Sequence, residues 1–495
     1  MARDAGLEWA AIGDFGMIFT GRTSELETLS RLWRKSSPSL VVCSGRRRIG
    51  KSTLIEEFAA RSDCRFIEIE GLAPDKKMTD ARQRAHFLER LADIGGTPPI
   101  FADTWPRAFD ALLKVIRADT RRTVVLLDEI SWMGGYDTGF PAFLKNAWDT
   151  GFSKRDGLVF VLCGSVSAWI SENILKSKGF VGRISLDLRL DELPLSDCAA
   201  FWGGAAPRVA IGEMLDILSV TGGVPKYLQE IDASLSAEEN IRNLCFLPEG
   251  YLFKDFDILF TDVFSRAPDE KRAVLEFLAD GPRRAEEIAA KLGCARNGHL
   301  TDLLAMLREA GFVSADEGLN PETGRPLRSV RYRLRDNYAR FYLKCVAPRA
   351  EAVHNGFFRL PSLEALPGWN ALLGLQFETL VVNHVRELAP FLGFGNALVT
   401  SAAPYVRAAT KERRGVQIDL LLQTRKSVCI VEVKRRAKID ETVEEEVQQK
   451  VERLGLPRTM SVRTALVYDG WLSPTVEENG YFDFLIPAER FLFPK

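Results

Sequence analysis

The chain has 495 residues, 46% apolar and 27% charged, with a formal net charge of −1. That is an ordinary globular composition, long enough for about three or four domains at ~100–200 residues each, and its charge gives no global sign of a polyanionic partner. Eight scattered cysteines without a CxxC pair and four separated histidines imply neither a disulfide framework nor a zinc site. No run approaches the ~18–20 apolar residues of a membrane span and no signal pattern is evident, so no membrane contact and a cytoplasmic location are expected.

In chain order, Phe19-Thr20-Gly21-Arg22 precedes a helix with Leu26, Leu29 and Leu32 at helical spacing, capped by Thr23 or Ser24. An apolar strand, Leu40 to Cys43, then leads into Gly45-Arg46-Arg47-Arg48-Ile49-Gly50-Lys51-Ser52-Thr53 and a helical stretch to Ala60. The pattern GxxxxGK[ST] between strand and helix is a phosphate-binding loop. A nucleoside triphosphate crowds negative oxygens together, so backbone N–H groups must approach it unobstructed, which Gly45 and Gly50 allow. The helix N-terminus favours the anion, Lys51 reaches the β- and γ-phosphates, and the Ser52 hydroxyl completes a magnesium shell. Arg46 and Thr53 belong to the same nucleotide-binding set, and the loop arginines are expected to face solvent.

Residues 78–118 are helical without recognisable chemistry. Thr123 to Leu127 then reads as a buried parallel strand ending in Asp128-Glu129 at the edge where open α/β sheets bind ligands. Asp128 is the expected magnesium partner and Glu129 the expected base that polarises the attacking water. A second such strand, Leu158 to Cys163, ends near Ser165. Gly182-Arg183 precedes a strand from Ile184 to Leu190. Helical periodicity from Leu195 to Leu244 encloses Thr221-Gly222-Gly223-Val224-Pro225-Lys226-Tyr227-Leu228, where Pro225 suits the first turn of a helix.

The F-x-G-R-x-x-E-L box, phosphate loop, acid pair and GG-x-P-x-Y-L stretch, in this order, resemble the P-loop ATPases of the AAA+ and STAND-like group, archaeal type, over Phe19 to about Phe260. The resemblance implies that Gly21, Arg22 and Pro225 lie near the adenine. It also implies that Ser165 contacts the γ-phosphate or lytic water, unless it is a plain strand end, and that Arg183 is a γ-phosphate arginine, unless it is an exposed loop residue. If Arg183 acts across subunits, a homo-oligomer is implied.

From Arg266 three short helices (270–279, 284–292 and 298–310) and a hairpin read as a winged helix. Between Gly281 and Arg349 there are 13 Lys and Arg against 8 Asp and Glu. Asn297, His299 and Thr301 near the recognition helix would meet base edges. Arg328, Arg331 and Arg333 on the wing would meet DNA phosphate, or the element packs as a lever. Residues 351–367 read as a linker containing a short helix.

The last stretch holds an amphipathic helix that contains Glu378 and has Leu373, Phe377, Leu380 and Val381 on its apolar face. Two strands follow, Val416 to Leu422 with Asp419 and Val428 to Lys434 with Glu432 and Lys434 on one face. Two carboxylates of this kind hold magnesium, Lys434 positions the nucleophile or neutralises charge, and Glu378 completes the set. The D…ExK pattern resembles the PD-(D/E)xK nucleases, with Ile418 in place of their proline and Gln448 at a supporting helix position.

The expected fold class is α/β. A P-loop ATPase core (17–190) is followed by a helical lid (191–262), a winged helix-turn-helix (263–346), a linker (347–368) and an α/β restriction-endonuclease-like domain (369–495). The expected function is an ATP- and magnesium-dependent protein that binds and cleaves DNA. The alternative is a nucleotide-switched regulator or scaffold whose C-terminal domain cuts nothing.

Overall fold

The computed structural model describes residues 19–165, 168–263, 268–294, 298–327, 329–394 and 398–494. The chain divides into two compact units, one ending at Glu192 and the other beginning at Leu193.

The first unit is a five-stranded parallel sheet in the order β2-β3-β4-β1-β5, built from β1 (Ser39–Gly45), β2 (Arg65–Glu70), β3 (Thr123–Asp128), β4 (Leu158–Ser165) and β5 (Ile184–Leu190). β1, β3 and β4 are apolar at consecutive positions because both faces are covered. Alternate residues divide between two cores. Leu40, Val42, Val125, Leu127, Phe160 and Leu162 pack with Phe87, Trp105, Phe109 and Phe140. Val41, Cys43, Val124, Leu126, Val159 and Val161 pack with Leu29, Leu54 and Phe58. All parallel strands point their C-terminal ends to one edge, which gathers Gly45, Asp128 and Ser165.

The second unit contains two sheets. A small antiparallel sheet in the order β6-β8-β7 joins β6 (Arg283–Arg284), β7 (Val313–Asp316) and β8 (Arg331–Leu334), beside helices Pro268–Ala279, Ala285–Leu292 and Gly298–Glu309. Gly293 ends the second of these helices at φ 66°, the left-handed conformation that makes the turn. The larger sheet runs β13-β12-β11-β10-β9, with β9 (Ser401–Arg407), β10 (Val416–Gln423), β11 (Ser427–Ile439), β12 (Ser461–Leu472) and β13 (Phe484–Pro487). β9, β10 and β11 pair antiparallel, whereas β11, β12 and β13 pair parallel.

The expected divisions at 262, 346 and 368 do not separate cores. One core runs from Val220 through Leu307, Tyr338 and Val353 to Leu373. Another joins Leu195, Met214 and Leu218 of the expected lid to Phe377, Leu380, Val431 and Val467. The cause lies in helix Ile211–Thr221, which is apolar nearly all round and buries Met214, Leu215, Ile217, Leu218 and Val220, so it must be enclosed rather than laid on a surface. The expected linker is likewise docked. Leu363 and Leu366 are buried, Arg242 donates to the Leu360 carbonyl at 3.0 Å, and Ser362 donates to Glu238 at 2.9 Å.

Among the described residues no helix is long and apolar enough to cross a membrane. Among the described residues no disulfide joins the cysteines.

Candidate functional site

At the C-terminal edge of the first sheet, β1 ends at Gly45, where a Cβ would lie 2.7 Å from the Leu190 carbonyl oxygen. Gly50 caps helix Lys51–Ala60 at φ 83°. Both glycines are therefore required by the path of the loop. Lys51 is buried and its ammonium donates to the Arg46 carbonyl at 3.2 Å, curling back over the loop. The Ser52 hydroxyl donates to Asp128 Oδ2, and the Glu129 N–H donates to Asp128 Oδ1 at 2.8 Å. Thr53 stands half-buried in the same helical turn.

Glu129 occupies the left-handed region at φ 45°, a strained position for a residue with a Cβ. Its Oε1 accepts from the Ser165 hydroxyl at 3.5 Å, and its Oε2 is buried with no hydrogen-bond partner among the described residues. Burial pushes the Glu129 carboxyl above the usual range, Lys51 opposes that shift, and Asp128 adds to it. A buried oxygen without a partner, on a strained residue at a ligand edge, suits a group that orients a reacting water. A serine hydroxyl held on an aspartate beside a lysine is also a fitting hard-oxygen set for magnesium, which keeps several waters and binds phosphate oxygens. When bound, that ion would neutralise phosphate charge.

Two expectations require correction. Arg22 faces inward. Only 5% exposed, it donates to the Ile49 carbonyl at 3.1 Å and the Asp191 carbonyl at 2.6 Å, so it braces the phosphate loop against the end of β5. Gly21, at φ 71°, makes the turn before it. The loop arginines do not simply face solvent, because Arg46 lies 3.8 Å from Glu192 and Arg47 stacks on Trp132 at 5.7 Å. Arg183 is not among the side chains gathered at the loop. It forms a two-pronged pair with Asp149 at 2.6 and 2.9 Å, which holds that carboxyl down at about 2.

In the second unit, Pro225 opens helix Pro225–Leu228 and is half-buried beside buried Tyr227, whose hydroxyl donates to Asp255 at 2.8 Å. Of the residues expected on DNA, Asn297 and Arg328 lie outside the described residues. His299 is exposed, with Nε2 2.8 Å from Glu270, and Thr301 is exposed on the same helix. Arg331 is half-buried and donates to the Pro282 carbonyl at 3.3 Å. Arg333 points inward, at 6% exposure, toward Asp316 at 3.5 Å and Asn383 at 3.3 Å. Its expected phosphate contact is therefore corrected, because its guanidinium is taken up by Asp316 and Asn383 on the buried side.

The acid set does come together. The register between β10 and β9 shifts between Ile418 and Leu421, a bulge that places Asp419 at the irregularity, where its Oδ2 accepts the Val433 N–H at 3.0 Å. Glu432 is 1% exposed on β11, and Lys434 donates to its Oε1 at 2.7 Å. Two further residues enter from helix Thr442–Leu454. Glu446 accepts from Lys434 at 2.8 Å, while Lys450 bonds Glu432 Oε2 and lies 3.8 Å from Asp419 Oδ1. Gln448, the expected helix residue, instead faces out to Glu452 at 3.2 Å. Burial, then the charge of Asp419, pushes the Glu378 carboxyl up to about 7. Burial, then the charge of Glu432, pushes Asp419 up to about 6, against the pull of Lys450.

Among the described residues no group of three or more His, Cys, Asp and Glu is arranged to hold a metal ion. Two carboxylates sharing one ammonium remain a fitting donor set for magnesium, which binds through one or two carboxylates and leaves its other positions to water and phosphate oxygen. The only sequence signal for Glu446 and Lys450 was their spacing of four, which puts both on one helix face.

Residues 19–231 match the family described as an ATPase domain predominantly from Archaea. The chain is 22% identical over 423 residues to an uncharacterized protein of Methanocaldococcus jannaschii, covering 84% of this chain and 87% of that one. A stretch of 42 residues is 43% identical to an uncharacterized ATP-binding protein of the same organism, covering 8% of this chain and 71% of that protein. Among solved structures, the Walker-type ATPase PABY2304 of Pyrococcus abyssi is similar at a TM-score of 0.49 and 16% identity, over 66% of this chain and 96% of that one. The ORC2 protein of Aeropyrum pernix is similar at a TM-score of 0.43 and 13% identity, over 70% and 97%.

Proposed function

With residues 19–231 an archaeal-type P-loop ATPase domain, we propose that the chain couples ATP binding and hydrolysis to DNA binding and to cleavage of a phosphodiester bond at the second-unit acid set. Lys51 and Ser52 hold the triphosphate, with Arg46 and Thr53 beside them, Asp128 supports magnesium through Ser52, and Glu129 with Ser165 orients the water. The helices and small sheet around His299, Thr301 and Arg331 bind DNA. Glu378, Asp419 and Glu432 are the acids of the cleavage site, where magnesium would stabilise charge on the scissile phosphate, and Lys434 positions the nucleophile.

The observation that carries the nuclease reading is the placement of Asp419, at a bulge, against the strand bearing Glu432 and Lys434, with the Val433 N–H bonded to its carboxylate. Supercoiled plasmid incubated with the purified protein in magnesium or manganese tests it. Nicking by the wild type that disappears in Asp419→Ala supports the reading, and nicking that persists in Asp419→Ala overturns it. One observation favours a second reading, a nucleotide-switched regulator that cuts nothing. Both carboxylate oxygens of Glu432 already hold a lysine ammonium, Lys434 and Lys450. Intact ATP turnover with no magnesium bound by calorimetry would favour that regulator.

A further inference from the structure

The second unit contains a cavity of about 390 Å³ lined by Arg413, Arg414, Gln449, Glu452 and Arg453, apart from every site described so far. Its lining carries three guanidinium groups and one carboxylate, and a second carboxylate, Glu322, pairs with Arg413 beside it. Arg413 and Arg414 come from the loop between β9 and β10, which is pinned by the Thr410 N–H donating to the Arg413 carbonyl at 2.9 Å and the Arg413 N–H donating to the Thr410 hydroxyl at 3.1 Å. Arg453 is steadied by Gln449 at 2.9 Å, and Arg413 by Glu322. Arg413, Arg414 and Arg453 are all exposed. The helix that ends here would present its negative pole to an incoming anion. Arg407 removes that obstacle by donating to the Leu454 carbonyl at 3.4 Å and to the Arg453 carbonyl.

The cleft is also joined to the acid set through the chain. Arg453 lies three residues beyond Lys450 on the same helix, about one turn or ~5 Å along its axis. Arg414 lies five residues before Asp419 on the path into β10, about 16 Å of extended chain. Two elements that supply the acid set thus each carry an arginine to the same opening. Planar guanidinium forks match phosphate oxygens, and an open cleft admits a continuous polyanion.

We infer that this cleft binds the phosphate backbone of duplex DNA a few base pairs from the acid set. The inference rests on the nuclease reading for its purpose but not for its measurement. The test is fluorescence anisotropy of a labelled duplex with the full chain in a chelator, so that nothing is cut, across a salt series. The double variant Arg414→Ala with Arg453→Ala is compared with wild type, Asp419→Ala and Arg458→Ala, the last an exposed arginine outside the cleft. Each lost phosphate contact should lower the slope of log affinity against log salt by ~0.9, so the double variant should lose about 2, while Arg458→Ala keeps the wild-type slope. A wild-type slope in the double variant, an equal loss in Arg458→Ala, or no duplex binding by the wild type overturns the inference. A reduced slope in the double variant, together with a wild type that never cuts plasmid, would keep the cleft and remove the nuclease reading.

Discussion

Replacing Arg22 with alanine distinguishes a brace from a nucleotide contact. The guanidinium is 5% exposed and donates to two carbonyls, Ile49 at 3.1 Å and Asp191 at 2.6 Å, besides pairing with Glu25 at 3.3 Å. A hydrogen bond from a charged donor contributes ~1.5–3 kcal/mol, and the two carbonyls would be left without it. Water reaching the vacated space recovers part of that, so a loss of about 3 kcal/mol is expected. For a unit of this size it would lower the melting temperature by about 6–12 °C. Differential scanning fluorimetry, read on the transition that ATP shifts, measures it, with Arg22→Lys recovering only part because one ammonium cannot span both carbonyls. An unchanged melting temperature in Arg22→Ala together with a tenfold weaker ATP affinity would refute the brace and return Arg22 to the ligand.

Glu129→Gln should bind ATP as the wild type does and lose about a hundredfold or more in turnover, measured by phosphate release. Because burial raises the Glu129 pKa, wild-type turnover should fall as pH drops through a value above that of an ordinary glutamate, where the base gains its proton. An acid limb that persists unchanged in Glu129→Gln would assign it to another group. Gln376→Leu should destabilise the second unit by about 3–5 kcal/mol in urea unfolding, because Gln376 accepts from buried Arg340 at 2.6 Å and donates to the Ser219 and Asn337 carbonyls at 2.8 and 2.7 Å. A change below about 1 kcal/mol would mean that water or Thr379 replaces it.

The phosphate loop, the acid pair and the strands beneath them were legible because each chemical residue sits at a fixed offset from an apolar run that can only be a buried parallel strand. Asp419, Glu432 and Lys434 could be placed on neighbouring strands because each lies in an apolar run of strand length, Val416–Gln423 or Ser427–Ile439. Arg22 was misread because a sequence motif shows which residue is present, not which way it points, and a guanidinium can cap two carbonyls as readily as it meets a ligand. Glu446 and Lys450 were hidden in a run, Thr442-Val443-Glu444-Glu445-Glu446-Val447-Gln448-Gln449-Lys450, that reads as the solvated face of an amphipathic helix. The cores that run across the expected domain limits were not legible, because the apolar girth of Ile211–Thr221 shows that the helix is enclosed but not by what. Its partners include helices Asn337–Phe341 and Trp369–Asn383, both more than a hundred residues away.

The proposed control of DNA cleavage by nucleotide state is measured by plasmid nicking with Lys51→Ala and Glu129→Gln in the presence of ATP and magnesium. It predicts that Glu129→Gln, holding ATP without hydrolysing it, nicks at least as well as the wild type and that Lys51→Ala does not nick. Nicking by Lys51→Ala at the wild-type rate would contradict it.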